Sequence, residues 1–147
     1  MFVLHVISGS RVTPEIDNAK VHCHRACVTA ESSNCLTVVS ITGEIDALNA
    51  EPVSEHIRGF VVPGRALVLD LSEVEFLGVA AVRSLMSLGE ACAEAQVAWA
   101  VIASHAVRRL LDIADRDGRI PAGGSMVEVL DRLGYAQTQR PVLRLVT

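Results

Sequence analysis

The sequence predicts an α/β fold built on a mixed, mostly parallel central sheet with an N-terminal hairpin and about four helices. Three observations predict it. Runs rich in Val, Ile and Leu alternate with stretches of helical period. Two of those runs, Ala66–Ser72 and Gln96–Ser104, are nearly continuous apolar sequence, as strands covered on both faces must be. Half of the 147 residues are apolar but only 3% are aromatic. Small branched side chains must therefore fill the core, which suits compact helix-on-sheet layers.

Residues 1–19 read as an irregular or loosely docked extension, because Arg11–Lys20 mixes Thr, Pro, Asp and Asn without a period. Val21–Thr29 alternates weakly and reads as a strand, and Glu31–Asn34 is a turn by composition. Leu36–Gly43 is rich in β-branched residues and reads as a second strand, antiparallel to the first. Asn49 is a good N-cap, and Pro52 falls in a first turn, where its missing N–H is harmless. A helix then runs to about Gly59, and Val61–Arg65 turns the chain into the strand Ala66–Ser72.

The next helix starts near Val79 and carries Val82, Leu85, Met86, Gly89 and Ala93 on one stripe. Gly89 permits close helix–sheet approach at some cost in helix propensity. The strand Gln96–Ser104 precedes a helix over His105–Asp115 with Val107, Leu110, Leu111 and Ala114 inward. Arg119–Ala122 reads as a short edge strand. Ser125 and Glu128 form a capping box for a last helix bearing Met126, Val129, Leu130 and Leu133, which stops at Gly134. The tail, residues 135–147, has an apolar end able to dock as an extra strand. One domain over residues 20–134 is thus expected, with right-handed crossovers between its parallel strands.

Composition excludes several functions. The formal net charge is −4, with no long run of Lys or Arg. The basic footprint of a nucleic-acid binder or a polybasic membrane anchor is missing. Met1–Ser8 is apolar but short, without the basic leader or cleavage signal of a secretory peptide. No apolar run reaches the roughly 20 residues that span a bilayer. A cytoplasmic chain is expected. The four cysteines lack a framework spacing, so free thiols are the default.

The order of elements, the turn Gly43-Glu44-Ile45-Asp46, the segment Leu67–Leu77 (LVLDLSEVEFL) and the later Val107–Ile113 (VRRLLDI) together resemble the STAS domain. More narrowly, they resemble the stand-alone bacterial anti-sigma factor antagonists. The resemblance covers about Cys35–Leu133. It implies a partner, an anti-sigma factor that is often a serine kinase, whose capture releases a sigma factor. It also implies a switch. The family's turn after the central strand reads Asp-Ser-Ser-Gly, and phosphorylation of the second Ser breaks the complex. Here those positions are Gly78, Val79, Ala80 and Ala81. Ala80 has no oxygen to phosphorylate, so the usual off-switch cannot operate there.

In such a fold the Gly43–Asp46 and Val79–Ala81 turns share one rim of the sheet. The expected partner-binding residues are Glu44, Ile45, Asp46, Asn49, Gly78, Val79, Ala80, Ala81, Val82 and Arg83, with Arg83 reaching an acidic group of the partner. The plainer reading gives Asp46 to its own loop and Arg83 to a solvated helix face. Cys23, Cys27 and Cys35 are candidates for a redox switch: four residues apart on one strand, Cys23 and Cys27 would share a face. Small buried hydrophobes are the commoner role for such thiols.

Zinc at His22, Cys23, His24 and Cys27 is disfavoured, because on a strand the imidazoles and thiols point to opposite faces. No metal or other cofactor is expected. Pro121–Ser125 lacks the Lys-Ser/Thr ending of a phosphate loop. Ser72, Ser84 and Ser87 neighbour the blank turn, but Ser84 and Ser87 fall mid-helix, where a kinase cannot easily reach the backbone. No nucleophile elbow occurs, and Asp70 has no specified acid–base partner. The sequence therefore points to a binding module rather than an enzyme. The alternative is a scaffold or sensor module of a larger signalling assembly, responsive to redox state or a ligand. Oligomeric state stays open.

Overall fold

In the computed structural model, which describes residues 20–134, the chain opens with a tight hairpin of β1 (Lys20–Cys23) and β2 (Ala26–Ser32). The single strand expected over Val21–Thr29 is therefore two. His24, at φ 58°, reverses the chain, so Cys23 faces Ala26 and His22 faces Cys27. A two-residue turn leaves apolar residues on both sides of it, and the weak alternation hides the break. The expectations for residues 1–19 and 135–147 lie outside the described residues.

The rest follows the anticipated order. β3 (Leu36–Ile45) is followed by α1 (Ala50–Arg58), β4 (Ala66–Leu77), α2 (Val79–Ala95), β5 (Trp99–Ala103), α3 (His105–Ala114), β6 (Ala122–Gly123) and α4 (Met126–Arg132). The six strands of the described residues form one sheet in the order β1-β2-β3-β4-β5-β6. β1/β2 and β2/β3 are antiparallel, whereas β3/β4, β4/β5 and β5/β6 are parallel. Among the described residues the fold is thus the mixed, mostly parallel sheet with four helices that the sequence predicts.

The larger core lies on one face of the sheet. Val39, Ile41, Leu67, Leu69 and Leu71 meet Val53 and Ile57 of α1, Val82, Leu85, Leu88 and Cys92 of α2, and Val107 and Leu111 of α3. The opposite face carries a smaller cluster of Val68, Ala100, Ile102 and Val129, with Met126 and Leu130 of α4 packed on it. That is why β4 and β5 read as continuous apolar runs: both faces are covered.

Within α2 the buried stripe is Ala81, Val82, Leu85, Leu88 and Cys92. Ala93, expected inward, is exposed. Gly89 does admit close approach: a Cβ there would come 2.8 Å from Cζ2 of Trp99. The edge strand sits later than expected, at Ala122–Gly123. The capping box is displaced by one residue. Ser125 Oγ accepts from the Glu128 amide at 3.2 Å, while Glu128 Oε1 accepts from the Gly124 amide at 2.8 Å. Buried Asp115 accepts from the amides of Arg119 and Ile120, shaping the loop into β6.

One difference bears directly on function. β4 does not end at Ser72 but runs to Leu77, still paired with β3. The register slips twice, between Ser40 and Thr42 and between Gly43 and Glu44, so β4 carries extra residues against β3. Such bulges re-aim side chains. Val74 and Leu77 turn inward, while Phe76 turns out and is 52% exposed.

Candidate functional site

Two turns leave the sheet side by side where the parallel strands β3 and β4 end. Each is shaped by its own sequence. Gly43 holds φ 96°, a region that disfavours side chains, and a Cβ there would collide with the Arg25 carbonyl oxygen. The Glu44 amide donates to that same oxygen at 3.2 Å. Glu44 then meets Arg25 in a 2.8 Å ion pair whose guanidinium is held more firmly protonated by the contact. The pair is solvent-exposed and contributes little to stability.

Asp46 Oδ1 accepts from the amides of Leu48 (2.9 Å) and Asn49 (3.2 Å), so its carboxylate builds the loop before α1. Asn49 occupies the N-cap position, but its side chain does not cap the helix. It accepts from the Asp46 amide at 2.8 Å and donates to the carbonyls of Glu44 (2.8 Å) and Cys23 (2.9 Å). The side chain is wholly buried.

The second turn docks on the first. The Gly78 amide donates to the Ile45 carbonyl at 2.8 Å. A Cβ on Gly78 would lie 3.5 Å from the Phe76 ring, 3.6 Å from the Ile45 oxygen and 3.7 Å from the Asp46 Cα. From there α2 starts, with Gly78 in extended conformation and no side chain capping its first amides.

Of the residues singled out in the sequence, Glu44, Asp46, Gly78 and Ala80 are half-buried, and Val79 and Arg83 are exposed. Four are corrected. Ile45 (4% exposed), Asn49 (0%), Ala81 (3%) and Val82 (2%) lie in the interior, so they position the rim and do not line it. Ile45 alternates inward at the end of β3. Ala81 and Val82 fall on the stripe of α2 that faces the sheet.

Two residues were missed. Leu48, 75% exposed, sits at the tip of the Asp46 loop, and Phe76 stands between the two turns. With Val79 they make the rim apolar. The bulges that expel Phe76 leave no mark in sequence. Leu48 was legible only as an apolar residue between two loop-forming polar ones.

The thiols do not assemble. Cys23 and Cys27 belong to different strands and point to opposite faces: Cys23 is buried opposite Ala26, and Cys27 stands half-buried opposite His22. Side chains aimed apart cannot bridge. Cys35 follows the far end of β2, roughly 17 Å along the sheet from Cys27 at about 3.4 Å per residue. Burial pushes the Cys23 thiol up, with a further push from Cys27, which disfavours the thiolate. An intrachain disulfide switch among these three is thereby ruled out by geometry. Among the described residues, no group of three His, Cys, Asp or Glu side chains stands ready for a metal ion.

Ser72 Oγ donates to Asp70 at 2.6 Å, and Ser87 Oγ accepts from Arg58 at 3.0 Å. Both hydroxyls are engaged in local structure. Ser84 lines an apolar cleft of only about 20 Å³ beneath α1 and α2. No helix among the described residues is long and apolar enough to cross a membrane.

The STAS domain model matches residues 26–128. The chain belongs to the STAS domain family. The chain is 37% identical over 142 residues to Osmosensory protein A of Mycobacterium tuberculosis, covering 94% of this chain and 90% of that one. It is 39% identical over 83 residues to the anti-sigma-F factor antagonist RsfB of the same species, covering 56% of this chain and 67% of RsfB. Among solved structures, an anti-sigma factor antagonist from Mycobacterium paratuberculosis superposes with a TM-score of 0.65 at 30% identity. That superposition covers 74% of this chain and 93% of the other. On this STAS scaffold the rim combines an unphosphorylatable Ala80 with exposed Leu48, Phe76 and Val79.

Proposed function

We propose that this STAS protein is an anti-sigma factor antagonist that captures its partner on the rim formed by the ends of β3 and β4 and the first turn of α2. The contact of Gly78 with Ile45 carries the reading, since it makes one continuous surface of two turns far apart in sequence. Exposed Leu48, Phe76 and Val79 supply an apolar centre, and Glu44, Asp46 and Arg83 supply a polar margin. That layout suits a protein–protein interface. Two relatives carry the antagonist description, RsfB and the M. paratuberculosis protein.

Binding by this rim competes with the sigma factor for the anti-sigma factor, in the cytoplasm and without turnover of a substrate. Ala80 removes the phosphoacceptor, so capture is constitutive with respect to a kinase acting at that turn. Calorimetric titration of purified anti-sigma factors from the source genome tests the reading. Val79→Asp and Leu48→Asp weaken the interaction, while Val127→Asp on α4, remote from the rim, does not. Equal affinity for all three variants would refute the rim.

A second reading is a scaffold or sensor module in a signalling assembly. The name of the 37% identical relative, Osmosensory protein A, favours it. Self-assembly or a response to osmolarity, with no binding to any anti-sigma factor, would select this reading over the first.

A further inference from the structure

β4 continues for six residues beyond Leu71, its last residue paired with β5, because β5 ends at Ala103 opposite Leu71 and the chain turns into α3 at His105. Past that point β4 keeps β3 on one side and, among the described residues, has no strand on the other. A groove of about 160 Å³ opens there, lined by Val74, Glu75, Phe76 and Leu77 of β4 and by Ala106, Val107 and Leu110 of α3. The groove adjoins the rim: Phe76 belongs to both, and Leu77 precedes Gly78.

Its size decides what it can hold. An apolar cavity of roughly 150 Å³ accommodates a benzene-sized group. Small-molecule and cofactor sites run to roughly 300 Å³ or more. The groove is therefore a socket for one large side chain rather than a ligand pocket. Interfaces concentrate their affinity in such anchor-and-socket contacts.

Charge gives the socket a direction. Arg109 lies on α3 between Ala106 and the 72% exposed Ile113, three residues from the first. It is exposed and makes no hydrogen bond or ion pair among the described residues. Glu75 stands on the opposite, β4 wall. A carboxylate beside the incoming side chain is attracted over α3 and repelled over β4.

We propose that this groove receives an aromatic or large aliphatic side chain of the anti-sigma factor, flanked by a carboxylate that pairs with Arg109. The proposal rests on the rim reading and names the chemistry of the partner segment that the rim alone leaves open. It makes Phe76 a shared wall between a flat apolar contact and a specific anchor.

The test is calorimetric titration of the full chain with a panel of purified anti-sigma factors, comparing three variants. Ala106→Trp fills the socket from an exposed position. Arg109→Glu reverses the charge without touching the core. Val79→Asp reports on the rim alone. Tenfold or greater weakening by both Ala106→Trp and Arg109→Glu, at unchanged melting temperature, is expected. Lost affinity for Val79→Asp with wild-type affinity for both groove variants overturns the socket and leaves the rim standing. The converse pattern supports the socket and refutes the rim. Should Ala106→Trp fail to fold, Arg109→Glu alone decides the matter, supported by a flatter salt dependence than the wild type. A panel in which nothing binds overturns both.

Discussion

The carboxamide of Asn49 donates to the carbonyl of Cys23, 26 residues earlier in the chain, at 2.9 Å. Through this contact the β1–β2 hairpin, the end of β3 and the start of α1 share one buried polar group. Each of its bonds ends on backbone, so one side chain fixes three separate stretches of main chain.

Asn49→Ala therefore leaves the carbonyls of Cys23 and Glu44 and the amide of Asp46 short of a partner at a site closed to water. An unsatisfied buried polar group costs about 1–3 kcal/mol. We expect a loss in at least that range by urea denaturation. Asn49→Asp should also destabilise, because a carboxylate can accept from Asp46 but cannot donate to the two carbonyls. A loss below about 0.5 kcal/mol, the scale of ordinary surface changes, would show that the group is not structural.

Gly43 gives a sharper case. Its φ of 96° already disfavours any side chain, and the Arg25 carbonyl occupies the place of a Cβ. Left-handed backbone alone costs roughly 1–2 kcal/mol for a residue other than Gly. Gly43→Ala should exceed that figure, since the hairpin must also shift, and Arg25 should lose its fixed approach to Glu44. Thermal denaturation measures the first effect. Charge reversal at Arg25 separates the second, and by itself should hardly move stability.

Much of this was legible in the sequence. Continuous apolar runs announced β4 and β5, and helical period announced α2 and α3, because burial on two faces or one stripe leaves a direct residue pattern. The positions that shape the candidate site were less legible. Asn49 reads as a helix cap, since the same carboxamide that can cap a helix can also be spent on distant carbonyls. Its actual partner at Cys23 depends on the hairpin turn at His24, which apolar residues on both sides disguise. Phe76 reads as one more apolar residue in a strand. Only the doubled bulge against β3 turns it outward. Ala81 and Val82 were counted with the rim because they adjoin the turn at Gly78, yet the helical stripe that already held Val82 turns both toward the sheet.

Cys92 predicts a pH dependence. It is fully buried on α2, and burial pushes its thiol from the ordinary 9.0 up to about 11. The unfolded chain releases the proton near pH 9, whereas the folded chain holds it until about pH 11. Stability is thus whole below pH 9 and falls as pH rises through that window, by about 2–3 kcal/mol at 1.36 kcal/mol per unit. Cys23 acts in the same direction. Cys92→Ala should lose stability at every pH by leaving a small void, yet decline less steeply between pH 9 and 11. Parallel curves for the two proteins in denaturation series would remove the thiol from the account.

Ala80 separates binding from folding. The residue sits half-buried in the first turn of α2, where amides lack a capping side chain and no acidic residue is present. A carboxylate there interacts favourably with the helix dipole, by roughly 0.3–1 kcal/mol. Ala80→Asp should therefore hold or slightly raise the melting temperature. On a partner-binding rim the same charge enters an apolar contact beside Val79 and loses its water. Affinity for the anti-sigma factor should fall at least tenfold, about 1.4 kcal/mol. The opposite signs make the experiment informative, since a merely unfolded variant would lower both. Undiminished affinity in the Ala80→Asp protein, with its melting temperature preserved, would place the interface elsewhere on the domain.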